Sequence, residues 1–64
     1  MKNVDLQRSD LEHADFAHAD LQGANLTGTK LGEALFNHAN LTGADLNLAD
    51  TTDTDFSGAK GYKS

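Results

Sequence analysis

The 64-residue sequence predicts an all-β coil with four sides per turn and about three turns. Three observations lead there: a five-residue period fills the chain, its middle position is apolar, and Phe16, Phe36 and Phe56 recur at intervals of twenty. Written in fives from Val4, the units are VDLQR, SDLEH, ADFAH, ADLQG, ANLTG, TKLGE, ALFNH, ANLTG, ADLNL, ADTTD, TDFSG and AKGYK. The third position is Leu or Phe in ten of the twelve units, Thr51 and Gly61 being the exceptions. The first position is Ala in eight, and the second is Asp or Asn in nine. Residues five apart on an α-helix stand about 140° from each other, so the leucines would spiral around it and form no stripe. On a flat strand an odd period sends them to alternate faces. They can share one core only if the chain bends at every unit, and four bends close a square of twenty residues. The phenylalanine spacing gives the same number independently, as does the interval between His18 and His38. Aromatic rings are then stacked up one wall of the core.

Composition bounds the rest. The chain is one small domain over 1–64, with repeats from about 4 to 63 and a degenerate last unit. With no cysteine, disulfide scaffolds, Cys-ligated zinc and thiol catalysis are excluded. Ten acidic residues against five Lys and Arg give a net charge of −5, which argues against direct binding of nucleic acid or an anionic membrane. No apolar run reaches transmembrane length and no signal peptide opens the chain, so a cytoplasmic location is expected.

These tandem units resemble the pentapeptide-repeat family, whose motif is roughly A(D/N)LXX, from Val4 to about Gly58. The resemblance implies a right-handed quadrilateral β-helix in which the first and third positions point inward and the other three face solvent. The expected core stack is Leu6, Leu11, Phe16, Leu21, Leu26, Leu31, Phe36, Leu41, Leu46 and Phe56. Thr51 in the core, Leu35 at an outward position and the closing AKGYK depart from the pattern.

With three coils the four walls can be assigned in order. The first holds 4–8, 24–28 and 44–48, and carries Asp5, Arg8 and Asp45, net −1. The second holds 9–13, 29–33 and 49–53; its Asp10, Glu12, Glu33, Asp50 and Asp53 against Lys30 leave −4. The third holds 14–18, 34–38 and 54–58, with Asp15 and Asp55. The fourth holds 19–23, 39–43 and 59–63, with Asp20, Lys60 and Lys63, net +1. Asp and Asn before the inward residue are expected first as turn residues bonding nearby backbone. Only the second wall is acidic enough to suggest a partner surface. Lys30 there separates Asp10 from Asp50.

The candidate chemistry is thin. His18 and His38 share a column and could bind zinc or copper, but a third and fourth ligand are lacking, although Glu33 lies near His13. Ser57, His38 and Asp55 nominally supply nucleophile, base and orienting acid on an exterior wall without a pocket. Gly23, Gly28, Gly43 and Gly58 occupy a corner where φ > 0 is expected, and no Gly-rich loop leads into a helix. Asn25-Leu26-Thr27 and Asn40-Leu41-Thr42 match a glycosylation acceptor through the repeat itself. Leu35 and Leu48 are the two outward apolar residues and fall on opposite walls, so they form no joint patch.

The expected function is a non-catalytic structural or protein-interaction module presenting a regular acidic rod surface, with no cofactor, metal or catalytic residue. Its candidate partner-binding wall is Asp10, Glu12, Glu33, Asp50 and Asp53. The alternative comes from the resemblance: longer relatives are similar to duplex DNA in shape and charge and protect type II topoisomerases. Neither terminus encodes a capping helix, and bare terminal coils expose apolar side chains and backbone. Relatives often dimerise through C-terminal coils, which implies a protein partner or self-association at the coil ends through Phe56 and Tyr62.

Overall fold

The computed structural model describes residues 2–62. Lys63, placed above on the fourth wall, and the outermost residues of the 1–64 domain lie outside the described residues. The backbone is a four-sided coil. From Asp5 to Lys60, every fifth residue forms a parallel bridge with the residue twenty positions away, as in Asp5↔Asn25, Asn25↔Asp45, Leu35↔Asp55 and Asn40↔Lys60. Three coils result, 4–23, 24–43 and 44–62, and the four walls follow the assignment made from the sequence.

Each corner has the same cause. The N–H of a unit's first residue donates back to the carbonyl of the preceding third residue, as from Ala14 to Leu11 (3.0 Å) and from Ala39 to Phe36 (3.0 Å). The fifth residue lies inside that turn and has positive φ, which is the type II pattern. Glycine meets this demand without strain at Gly43 (φ 73°), whereas Leu48 (φ 62°) and Asp53 (φ 56°) adopt it against their side chains.

The second position stabilises the turn from the other side. In all nine units where it is Asp or Asn, its Oδ1 accepts the backbone N–H two residues on, from Asp5 with Gln7 to Asp55 with Ser57. Thr27, Thr42 and Thr52 add their hydroxyls to the same oxygens at 2.6–2.7 Å. The Asp/Asn column is thus a set of Asx turns that fold each side of the square.

Coils are joined by short backbone bonds rather than long strands. Leu26 donates to the Asp45 carbonyl (2.7 Å), and Asp45 donates down to Ala24 (2.9 Å). The same pair of bonds repeats around the square. The middle coil is sealed: Leu26, Leu31, Phe36 and Leu41 are at most 1% exposed, with Ala24, Ala34 and Ala39 between them. Thr29 is buried among these alanines because its hydroxyl reaches the Leu26 carbonyl at 2.8 Å. Leu6, Leu11, Phe16, Leu46, Thr51 and Phe56 belong to the outer coils and are half-buried. Three coils give a body of 21 × 20 × 19 Å, as tall as it is wide. The rod expected from the repeat is therefore a block.

Candidate functional site

Two surfaces merit a functional reading. On the second wall, Gly32 stands where other units carry a side chain at the fourth position. Its bare Cα leaves a depression bordered by Glu12, Glu33, Asp50, Thr52 and Asp53. A Cβ at Gly32 would come within 3.3 Å of a Glu12 carboxylate oxygen, so Glu12 already leans across the gap. Asp10 and Asp50 each use one oxygen in an Asx turn but remain exposed. The Thr52 hydroxyl and N–H hold the Asp50 carboxyl below its ordinary value, with Lys30 helping. Lys30 is the backbone β-bridge partner of both Asp10 and Asp50, in the coil between them. Glu33 meets His13 Nδ1 at 3.3 Å, an exposed pair of small energetic weight. The structure thus brings together four of the five acids around the depression and leaves Asp10 outside it, next to Lys30 in the stack.

The second surface is the C-terminal end of the aromatic column. Phe16 and Phe36 stack at 5.0 Å between centroids, and Phe36 and Phe56 at 5.4 Å. Tyr62 continues the column: its ring lies flat on Phe56, 3.8 Å away and 5° from parallel. Nothing in the five-residue pattern places it there, since Tyr62 is the fourth residue of its unit. Gly61 replaces the inward Leu or Phe and has φ 78°, which turns the chain and swings the tyrosine over the coil. Beside the ring is a cleft lined by Leu41, Ala44, Leu46 and Asn47. The missing Leu at 61 was the visible signal of a broken register; the landing point on Phe56 was not.

The histidine and serine candidates do not assemble. The His18 and His38 rings are stacked 5.1 Å apart at 12°. Parallel rings aim their nitrogen lone pairs along parallel lines, whereas zinc needs nitrogens converging at about 2.0–2.1 Å. Among the described residues no group of three or more His, Cys, Asp or Glu is placed to hold a metal ion. The Ser57 hydroxyl and N–H both serve Asp55 and hold its carboxyl below the ordinary value. The acid therefore hydrogen-bonds the would-be nucleophile, and the His38 imidazole adds only the smallest of the influences on it, the reverse of the order that nucleophile activation requires. Leu35 is 40% exposed on the third wall and Leu48 90% exposed on the first, too far apart for a shared patch. No described helix is long and apolar enough to cross a membrane.

Eight copies of the family model for pentapeptide repeats match residues 1–37 and 30–60. The chain belongs to the pentapeptide-repeat family. The pentapeptide-repeat protein Rfr23 from the cyanobacterium Cyanothece 51142, known from a crystal structure, is similar over 94% of this chain at 37% identity, with a TM-score of 0.93. This pentapeptide-repeat chain spans 41% of the length of that protein. No curated protein matches it. The family is one of structural repeat modules.

Proposed function

We propose that this pentapeptide-repeat chain is a non-catalytic protein-interaction module whose acidic second wall meets a basic protein partner. One observation carries the reading: Glu12, Glu33 and Asp53 surround the side-chain-free Gly32 while the carboxylates of Asp10 and Asp50 stay exposed beside them. Exposed carboxylates of this kind steer and orient a cationic partner more than they supply affinity. The same charge disfavours nucleic acid and anionic lipid as direct partners.

The test compares the chain with a Glu12→Gln/Glu33→Gln/Asp53→Asn variant as bait for basic proteins at low and moderate salt. A partner retained by the natural wall, lost from the variant and released by salt supports the reading. Equal retention by both sinks it. The DNA-mimic alternative adds one arm: inhibition of a type II topoisomerase by the natural chain and not by the variant would reassign the wall to that role.

A contact through the C-terminal end is a separate proposal. It rests on the Tyr62 ring, which stacks on Phe56 at the C-terminal end of the aromatic column. Pairing there would be tail to tail and would stop at a dimer.

A further inference from the structure

The second-position column has an order that the repeat alone does not require. Around the first coil it reads Asp5, Asp10, Asp15, Asp20, and around the third Asp45, Asp50, Asp55, Lys60. Around the middle coil it reads Asn25, Lys30, Leu35, Asn40. These residues are bridge partners, one directly above another. Every acidic rung therefore rests on a neutral or basic one, and no two carboxylates are stacked at this position.

The backbone edges would join readily. Among the described residues, the N–H groups of Leu46, Leu48, Thr51, Asp53, Phe56 and Gly58 have no acceptor. Their counterparts below, such as Leu26 and Gly28, donate to the carbonyls of Asp45 and Asn47. The carbonyls of Asp5, Gln7, Asp10, Glu12, Asp15 and Ala17 likewise accept nothing from below. Set on the third coil of one copy, the first coil of another offers these six acceptors to those six donors in the same register. Unpaired edges of this kind are templates for association.

We propose that the Asp rungs, together with Tyr62, keep copies of this chain from stacking head to tail. In that register Asp5, Asp10 and Asp15 of the incoming copy fall on Asp45, Asp50 and Asp55, and only Asp20 meets an opposite charge, on Lys60. Two carboxylates about 5 Å apart in water weaken association about fourfold, so three rungs together weaken it roughly fifty- to a hundredfold. Tyr62 blocks the core in the same place. Its ring, 3.8 Å above Phe56, occupies the level where the incoming Phe16 would extend the aromatic column. A head-to-tail contact is heterologous and grows without closing, so a solenoid edge without such a block risks filaments.

Asn is the substitution that isolates charge, because Asn25 and Asn40 form the same Asx turn in this chain. The experiment is sedimentation velocity from low to high micromolar concentration, with circular dichroism to verify folding. It compares the natural chain, Asp45→Asn/Asp50→Asn/Asp55→Asn, Tyr62→Ala, and all four changes together. The natural chain stays at a closed size, a monomer or one dimer. The fourfold variant associates at least fiftyfold more readily and grows with concentration. Tyr62→Ala gains the same growth only in about 1 M salt, where the screening length falls to about 3 Å. Open-ended growth of the natural chain at low salt overturns the proposal. So does a folded fourfold variant no larger than the natural chain. Should loss of Tyr62 unfold the chain, the triple Asn variant is compared alone, and association equal to that of the natural chain overturns the role of the rungs.

Discussion

Phe36 lies between Phe16 and Phe56, stacked 5.0 Å from the first ring, and is the one aromatic residue of the column with no exposed surface. Its ring fills the third wall of the middle coil, which is covered on both sides.

Removing that ring leaves a cavity that the neighbouring coils cannot close. Phe→Ala at such a site costs about 3–5 kcal/mol, and a domain of this size has little more in total. Phe36→Ala is expected to unfold the chain, while Asn37→Ala changes stability by less than about 0.5 kcal/mol. Thermal melts by circular dichroism decide it. A cooperative melt of Phe36→Ala at the natural temperature would contradict the inward stack.

Thr51 takes a third-position site over Leu31, where the other coils place Leu11 and Leu31. It is half-buried, and its hydroxyl makes no bond among the described residues. Thr51→Leu is expected to raise stability by about 1 kcal/mol, part of the value of a fully buried Leu. A loss of that size in chemical denaturation would show that the third coil has no room for the larger side chain.

Leu48 combines a left-handed backbone with a side chain 90% exposed. Gly at this corner relieves strain of about 1–2 kcal/mol and gives back about 0.5–1 kcal/mol of chain entropy. Leu48→Gly should therefore stabilise the chain by about 0.5–1 kcal/mol, a rise of several degrees in Tm for a domain this small. Gly43→Leu, at the equivalent corner of the fourth wall, should do the opposite. A fall in Tm for Leu48→Gly would mean that the leucine is packed against something in solution.

Asp50 and Asp55 have carboxyls held below the ordinary value of 3.8, chiefly by the hydroxyls and then the N–H groups of Thr52 and Ser57. A depressed folded-state value means that the stabilisation is present above the unfolded value and is lost as pH falls through the folded one. The Tm is expected to be flat from neutral pH down to about pH 4 and to fall below it. Asp50→Asn/Asp55→Asn should flatten that fall, since Asn keeps the turn without the charge. An unchanged acid limb in the variant would assign the loss to other carboxylates.

The coil was legible because its determinants are local and repeated. A third-position Leu, an Asx residue before it and a corner that tolerates φ > 0 each recur within five residues, and the spacing of Phe16, Phe36 and Phe56 supplies the number of sides. Lys30 between Asp10 and Asp50 followed from the same register. Tyr62 did not, because its place depends on where the chain goes after Gly61 breaks the pattern. Nor did the pairing of Ser57 with Asp55, a matter of hydroxyl orientation that spacing does not carry. The depression at Gly32 was not read from the sequence either, because it depends on how Glu12, Glu33 and Asp53 border a single absent side chain.

Every β-bridge between coils joins residues twenty apart, and this gives the chain a quantised tolerance to length change. Gain or loss of one residue turns each downstream leucine outward at once. A change of five restores the inward face but rotates everything downstream by one wall, setting Phe over Leu and Asp beside a new neighbour. Only a change of twenty returns every side chain to its own column. Drift in length therefore proceeds by whole coils, and each coil added or removed shifts which charges end up adjacent.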